Sequence, residues 1–198
     1  VSYEFDEYSL LKTIEREGFP PIHYEHDTLK RITAMRIGPD HSIGYVYDFL
    51  GRIERIRTPA GEVSYEYLSG QGKRMRTLPN GIRTLWEYGS GGALRSITHV
   101  NRENRIILSF EYSYRPDGLI QSIAEYGPDG EHTISYTYDT VQRLIAFEDS
   151  PGRDARYKYD PYGNMLVSSS DGHKQLLCSY NWAGQLEAVD GQPCTLDA

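Results

Sequence analysis

The chain has 198 residues, a net charge of −7 and a pI near 5.4, a balance that argues against a nucleic-acid-binding or anionic-membrane surface. Hydrophobic residues make up 38% and mean hydropathy is −0.59, lean for a packed globular core of this length. No stretch approaches the roughly 18 apolar residues of a membrane span, and Val1–Phe19, with Glu4, Asp6, Glu7, Glu15 and Glu17, does not read as a signal peptide.

From the N-terminus onward, the predicted elements are outgoing strands that carry two aromatics two residues apart, each followed by a turn and an apolar return strand. The pairs are Tyr3/Phe5, Tyr24/His26, Tyr45/Tyr47, Tyr65/Tyr67, Trp86/Tyr88, Tyr112/Tyr114, Tyr136/Tyr138, Tyr157/Tyr159 and Cys178/Tyr180. The second members are separated by 21, 21, 20, 21, 26, 24, 21 and 21 residues. Of 17 tyrosines, 14 occupy the frame; Tyr8, Tyr126 and Tyr162 stand outside it. A period this regular is the mark of a repeat protein. Tyrosine suits a half-dry sheet, because its ring packs while its hydroxyl reaches water.

Ser42–Tyr67 is the clearest unit. Tyr45 and Tyr47 share a strand face and Val46 points to the other. Asp48-Phe49-Leu50-Gly51 reads as a tight turn, with Asp bonding backbone N–H groups two residues on and Gly tolerating positive φ. Arg52–Arg57 returns, and Pro59-Ala60-Gly61 turns the chain outward again. That second turn recurs as Pro79-Asn80-Gly81, Pro128-Asp129-Gly130, Pro151-Gly152 and Asp171-Gly172.

The return strands carry apolar residues at i, i+3: Leu11/Ile14, Ile32/Met35, Ile53/Ile56, Leu94/Ile97, Ile120/Ile123, Leu144/Phe147 and Leu186/Val189. Strict alternation places such residues on opposite faces. Helical spacing also fits, and Ser9–Glu17 alone passes for a turn or two of helix. The repeat context leaves only about six residues between turn signals, too few for a stable helix. Each pair is then either one inward and one outward residue, or the sign of a bulge. Two strands per repeat give about 18 strands in all.

The frame Tyr-x-Tyr-Asp-x-x-Gly-Arg, best seen at Tyr45–Arg52 and worn down elsewhere, resembles the YD repeat of Rhs proteins. That family includes bacterial polymorphic toxins, cocoon subunits of insecticidal toxin complexes and teneurins. The resemblance covers Tyr3 to about Val189, which gives the expected organisation: a repeat array over 1–189 and a C-terminal tail over 190–198. It implies an all-β, repetitive antiparallel β-hairpin array, wound as a β-spiral into a curved sheet that forms part of a hollow shell. Such shells need many more repeats, so a fragment, a short paralogue or a piece completed by other copies is expected. The implied function is a non-catalytic shell segment that encapsulates a toxin or other polypeptide for delivery. Its implied partners are an enclosed toxin polypeptide or a further Rhs-repeat chain, and its implied location is secreted or cell surface. The alternative is an extracellular recognition or adhesion module that binds carbohydrate or protein through exposed tyrosines.

Candidate chemistry resolves into structure. Asp6, Asp27, Asp48, Asp139 and Asp160 form a row of carboxylates, and a turn cap repeats wherever a turn repeats. Asp160-Pro161-Tyr162-Gly163 is similar to the Asp-Pro-x-Gly signature at which Rhs cores cleave themselves, yet it sits in frame and another repeat follows. His23, His26, His41, His99, His132 and His173 lack metal-ligand spacing. Gly70-Gln71-Gly72 and Gly89-Ser90-Gly91-Gly92 read as turn expansions, with no helix to complete a phosphate site. No catalytic, cofactor-binding or metal-binding residue is assigned, and no enzyme is expected. Cys178 takes a ladder position and Cys194 lies in the tail; their pairing stays open. The array's outer strands, near Ser2–Phe5 and Cys178–Trp182, are expected to self-associate edge to edge or to carry irregular caps, with Ala188–Ala198 available to fold back.

Overall fold

The computed structural model describes residues 1–68, 72–150, 152–170 and 175–194. Among these residues there are strands and turns and no helix. The chain divides into two units, 1–107 and 108–198. The first holds β1 (Ser2–Phe5), β2 (Leu11–Glu15), β3 (Ile22–His26), β4 (Ile32–Ile37), β5 (His41–Tyr47), β6 (Ile53–Thr58), β7 (Gly61–Leu68), β8 (Lys73–Thr77), β9 (Arg83–Tyr88) and β10 (Leu94–Val100). The second is built from β11 (Ile106–Tyr114), β12 (Ile120–Gly127), β13 (Gly130–Tyr138), β14 (Leu144–Asp149), β15 (Asp154–Tyr159), β16 (Met165–Ser170), β17 (Leu176–Tyr180), β18 (Leu186–Val189) and β19 (Gln192–Pro193). Within each unit consecutive strands pair antiparallel, as in the meander read from the repeat.

The i, i+3 spacing has a single cause. Tyr47 pairs with Ile53 and Tyr45 with Ile56, while Val46 pairs with Arg55, so Glu54 is an extra residue on the return strand. This bulge brings residues three apart onto one face, opposite aromatics two apart. The same shift pairs Phe5 with Leu11 and Tyr3 with Ile14, Tyr138 with Leu144 and Tyr136 with Phe147, and Tyr180 with Leu186 and Cys178 with Val189. Ser9–Glu17, the stretch with helical spacing, is the end of a turn followed by β2. Among the described residues nineteen strands appear where two per repeat give about 18, because β19 folds back on β18 (Ala188 with Pro193, Val189 with Gln192).

Apart from the turn after β7, which lies outside the described residues, the turn after an outgoing strand is a three-residue loop with a left-handed fourth position. At Asp48 the backbone N–H donates to the Arg52 carbonyl, and the Gly51 N–H donates back to the Asp48 carbonyl. Gly51 has φ of 79°, and the equivalent site is also filled by Ser9, Lys30 and Gln142 at 61°, 65° and 66°. Glycine is therefore favoured there but dispensable. Some return-to-outgoing turns use the same loop, at Leu78, Asn101 and Asp149, while Thr58–Gly61 and Gly127–Gly130 close two-residue hairpins. The anticipated turn at Asp171-Gly172 lies outside the described residues, as do Pro151 and Gly70-Gln71.

The two sheet faces differ in chemistry. Around β5–β6, Ile43, Tyr45, Tyr47, Ile53, Ile56 and Val63 share one face, while Arg36, Ser42, Arg55, Arg57, Glu62 and Ser64 share the other. Ion pairs cross that polar face, Arg36 to Glu25 at 2.7 Å and Arg57 to Glu62 at 3.0 Å. Among the described residues only Ala146 and Ala155 are buried apolar side chains; the ladder positions from Tyr24 to Tyr180 are half-buried, Tyr3 and Phe5 in the first strand are exposed, and no aromatic ring is fully enclosed. Tyr45, Tyr136 and Tyr157 sit in that half-buried class, whereas Tyr126, outside the frame, is exposed.

Candidate functional site

The motif residues meet between neighbouring hairpins. The Asp48 carboxylate accepts two backbone N–H bonds through Oδ1, from Leu50 and Arg52 at 2.9 Å each. Its Oδ2 takes the Arg52 side chain, with Nε at 2.7 Å and Nη2 at 2.7 Å. The Arg52 guanidinium then lies 4.0 Å from the centre of the Tyr67 ring, one hairpin on. The Tyr67 hydroxyl donates to the Ile53 carbonyl at 2.9 Å, beside the arginine that covers its ring. One aspartate therefore closes its own turn and aims an arginine that grips the next hairpin.

The clamp recurs with small variations. Asp27 and Arg31 pair at 2.7 Å, Arg31 stacks 4.3 Å from Tyr47, and the Tyr47 hydroxyl donates to the Ile32 carbonyl at 2.7 Å. In the second unit Asp139 and Arg143 pair at 2.7 Å, Arg143 lies 4.9 Å from Tyr159, and Tyr159 donates to the Leu144 carbonyl at 2.8 Å. Arg143 also donates to the Asp160 carbonyl at 2.8 Å, joining two turns directly. Tyr138 and Tyr180 make the same hydroxyl latch, to Ile120 and Met165 at 3.0 Å each. Asn181 keeps the cap with Oδ1 at 3.0 Å from the Ala183 and Gln185 N–H groups.

The electrostatics follow from these bonds. The Arg31 backbone N–H holds the Asp27 carboxyl below the usual carboxylate range, against partial desolvation, with the Arg31 side chain adding to it. Asp139 is lowered in the same way, first by the Arg143 backbone N–H. Burial pushes the Tyr136 and Tyr159 phenols up. These carboxylates are thus fixed anions already committed to donors, a poor starting point for general acid work.

The structure keeps the aspartate row in the turns and does not gather it. Asp6, Asp27, Asp48, Asp139 and Asp160 each cap a separate loop. Asp160-Pro161-Tyr162-Gly163 is one of these loops, with Asp160 Oδ2 accepting from Asn164 Nδ2 at 2.8 Å. Among the described residues no group of three or more His, Cys, Asp or Glu is arranged to hold a metal ion. His23 and His99 instead bond threonines, Thr13 at 3.2 Å and Thr84 at 3.1 Å. Cys178 and Cys194 are both free thiols. No helix among the described residues is long and apolar enough to cross a membrane.

Two features escaped the sequence reading. The arginine four residues after Asp27, Asp48 and Asp139 was legible in Tyr45–Arg52 as spacing, but its role as a link to the next ring needed the fold. The exposed apolar residues at the loop tips were also missed: Leu29, Phe49, Val141, Tyr162 and Trp182, with Phe49 93% and Trp182 100% exposed. Their signal was present, since each lies one or two residues beyond a turn aspartate or asparagine.

No protein-family model matches the chain. It is 27% identical over 197 residues to the toxin protein Tse5 of Pseudomonas aeruginosa, a match over 95% of this chain and 14% of that protein. Its fold matches the crystal structure of TcdB2-TccC3-Cdc42 with a TM-score of 0.59 at 13% identity, over 93% of this chain and 12% of that one. A crystal structure of TcdB2-TccC3 gives a TM-score of 0.58 at 14% identity, over 93% and 13% of the two chains. The chain thus spans about an eighth of the length of these relatives.

Proposed function

We propose that this chain is an Rhs/YD-repeat array and a non-catalytic wall segment of a shell that encloses a toxin or other polypeptide for delivery. The observation that carries the reading is where the motif spends its chemistry. The aspartate, the arginine and the tyrosine hydroxyl of each full repeat are bound to one another or to backbone, and so serve only to join one hairpin to the next. The similarity to a toxin protein over nearly the whole chain supports a toxin-associated wall. Secretion or cell-surface display follows from this role.

Protease protection tests it. In the full-length protein that carries this array, an enclosed polypeptide is expected to resist protease until the wall is opened by Asp139→Ala combined with Arg143→Ala. A passenger digested equally fast in both proteins would overturn the proposal. A second reading, an extracellular recognition module, draws on the exposed aromatics at the loop tips. It predicts selective glycan or protein binding that is lost in Tyr162→Ala and Trp182→Ala and unaffected by Tyr136→Phe.

A further inference from the structure

The gap after the first hairpin lacks both the arginine and the tyrosine of the clamp. In the first hairpin the position four residues after Asp6 is Leu10, and in the next hairpin the ring position is His26. Asp6 Oδ1 still accepts from the Tyr8 and Leu10 N–H groups at 2.9 and 2.8 Å. Its Oδ2, the atom that takes an arginine in the turns of Asp27, Asp48 and Asp139, has no partner among the described residues. His26 is too short to repeat the latch that Tyr47 and Tyr67 make to a return-strand carbonyl. A cavity of about 510 Å³ opens where the missing parts belong, lined by Asp6, Tyr8, Leu10, Tyr24, His26 and Asp27 among others. Two lysines also line it: Lys12, engaged by Glu4 at 2.9 Å, and Lys30, at the left-handed position of the next turn.

We propose that this cavity is a vacant arginine seat, which binds the side chain of an arginine presented by another polypeptide. The template for the ligand is the protein's own repeat. Three times elsewhere an aspartate Oδ2 in this position holds a guanidinium at 2.7 to 2.8 Å through Nε, and the guanidinium covers the aromatic of the following hairpin at 4.0 to 4.9 Å. The seat offers the same carboxylate, the same turn and an aromatic ring in the same register. A planar guanidinium meets both the carboxylate and the ring at once, which an ammonium does not. The inference does not depend on the shell reading, because it rests on the gap alone.

The test is a titration of the full chain, followed through the His26 imidazole and Tyr24 ring resonances, with the capped peptide Gly-Arg-Gly and its Gly-Lys-Gly counterpart. Saturable shifts are expected with the arginine peptide, and the lysine peptide is expected to bind at least tenfold more weakly. Leu10→Arg supplies the missing arginine in cis; it should fold, raise the unfolding midpoint and abolish peptide binding. Asp6→Asn keeps the cap acceptor and should weaken binding about tenfold. No saturable shift, equal binding of the two peptides, or undiminished binding by a folded Leu10→Arg protein would each overturn the proposal.

Discussion

The hairpin β5–β6 and its neighbour β7–β8 share an aromatic pair and differ in almost everything that follows it. In β5–β6, Asp48 closes a three-residue loop, Glu54 bulges, and Ile53 and Ile56 face Tyr47 and Tyr45. In β7–β8 the residue after the second tyrosine is Leu68, no bulge follows, and Tyr67 and Tyr65 face Arg74 and Arg76, two residues apart. Those two arginines cover Tyr88 and Trp86 at 5.0 and 5.5 Å, and Arg76 donates to buried Thr84 at 3.4 Å. The three-residue loop, the bulge and the three-residue spacing are therefore one device, which Gly89 and Arg115 also open without an aspartate. In β7–β8 the register runs straight and the face turns from apolar to cationic, while the Trp86 and Tyr88 rings still receive guanidinium groups.

The sharpest way to break that comparison is to delete Glu54. Without the extra residue Ile53 and Ile56 cannot both face the tyrosines, and a register slip carries one of them to the polar face. A loss on the order of 3–5 kcal/mol is expected, with amide protection collapsing across β5 and β6. Unchanged protection would show that the bulge does not set the spacing.

Next in size is the ladder itself. Tyr136→Ala should cost about 2–3 kcal/mol, short of the loss from a fully buried ring because Tyr136 is only half-covered. Tyr126→Ala, at an exposed site outside the frame, should cost about 0.5 kcal/mol or less. Denaturant midpoints decide it, and equal losses would deny the frame a structural role.

The hydroxyl latch is smaller and is common to both kinds of hairpin. Tyr159→Phe should cost about 0.5–1.5 kcal/mol, the ordinary net value of one hydrogen bond, and Tyr67→Phe a similar amount. A loss confined to one of the two would separate the hairpins more deeply than the spacing does.

The mildest perturbation is acid. The Asp27 and Asp139 carboxyls are depressed in the folded chain, so the stability they lend is fully present above the unfolded carboxylate value of about 3.9 and is lost as pH falls through their lower folded values. Amide protection in the loops at Asp27, Asp48 and Asp139 should decline together below about pH 4, whereas the Gly89 loop, which has no carboxylate at that position, should not follow. Loops that lose protection uniformly would detach the acid response from the aspartates.

Much of this was legible in the residues. The tyrosine period determined the repeat, the hairpin and the strand class, because side-chain alternation in a strand forces two aromatics two apart onto one face. Asp48 and Gly51 announced the turn, since few residues can accept local N–H bonds or tolerate positive φ. The Leu11/Ile14 type of spacing left two readings open, because a local window cannot distinguish a bulge from a face change; only cross-strand partners do. Arg52 looked like an ordinary surface cation until the fold laid it over Tyr67, a residue 15 positions away. Leu10 and His26 looked like routine degeneracy, and their proximity across one gap turned two lost residues into a cavity. Periodicity and turn chemistry are local and survive in the sequence, whereas the contacts that join hairpins depend on register, which the tertiary structure alone decides.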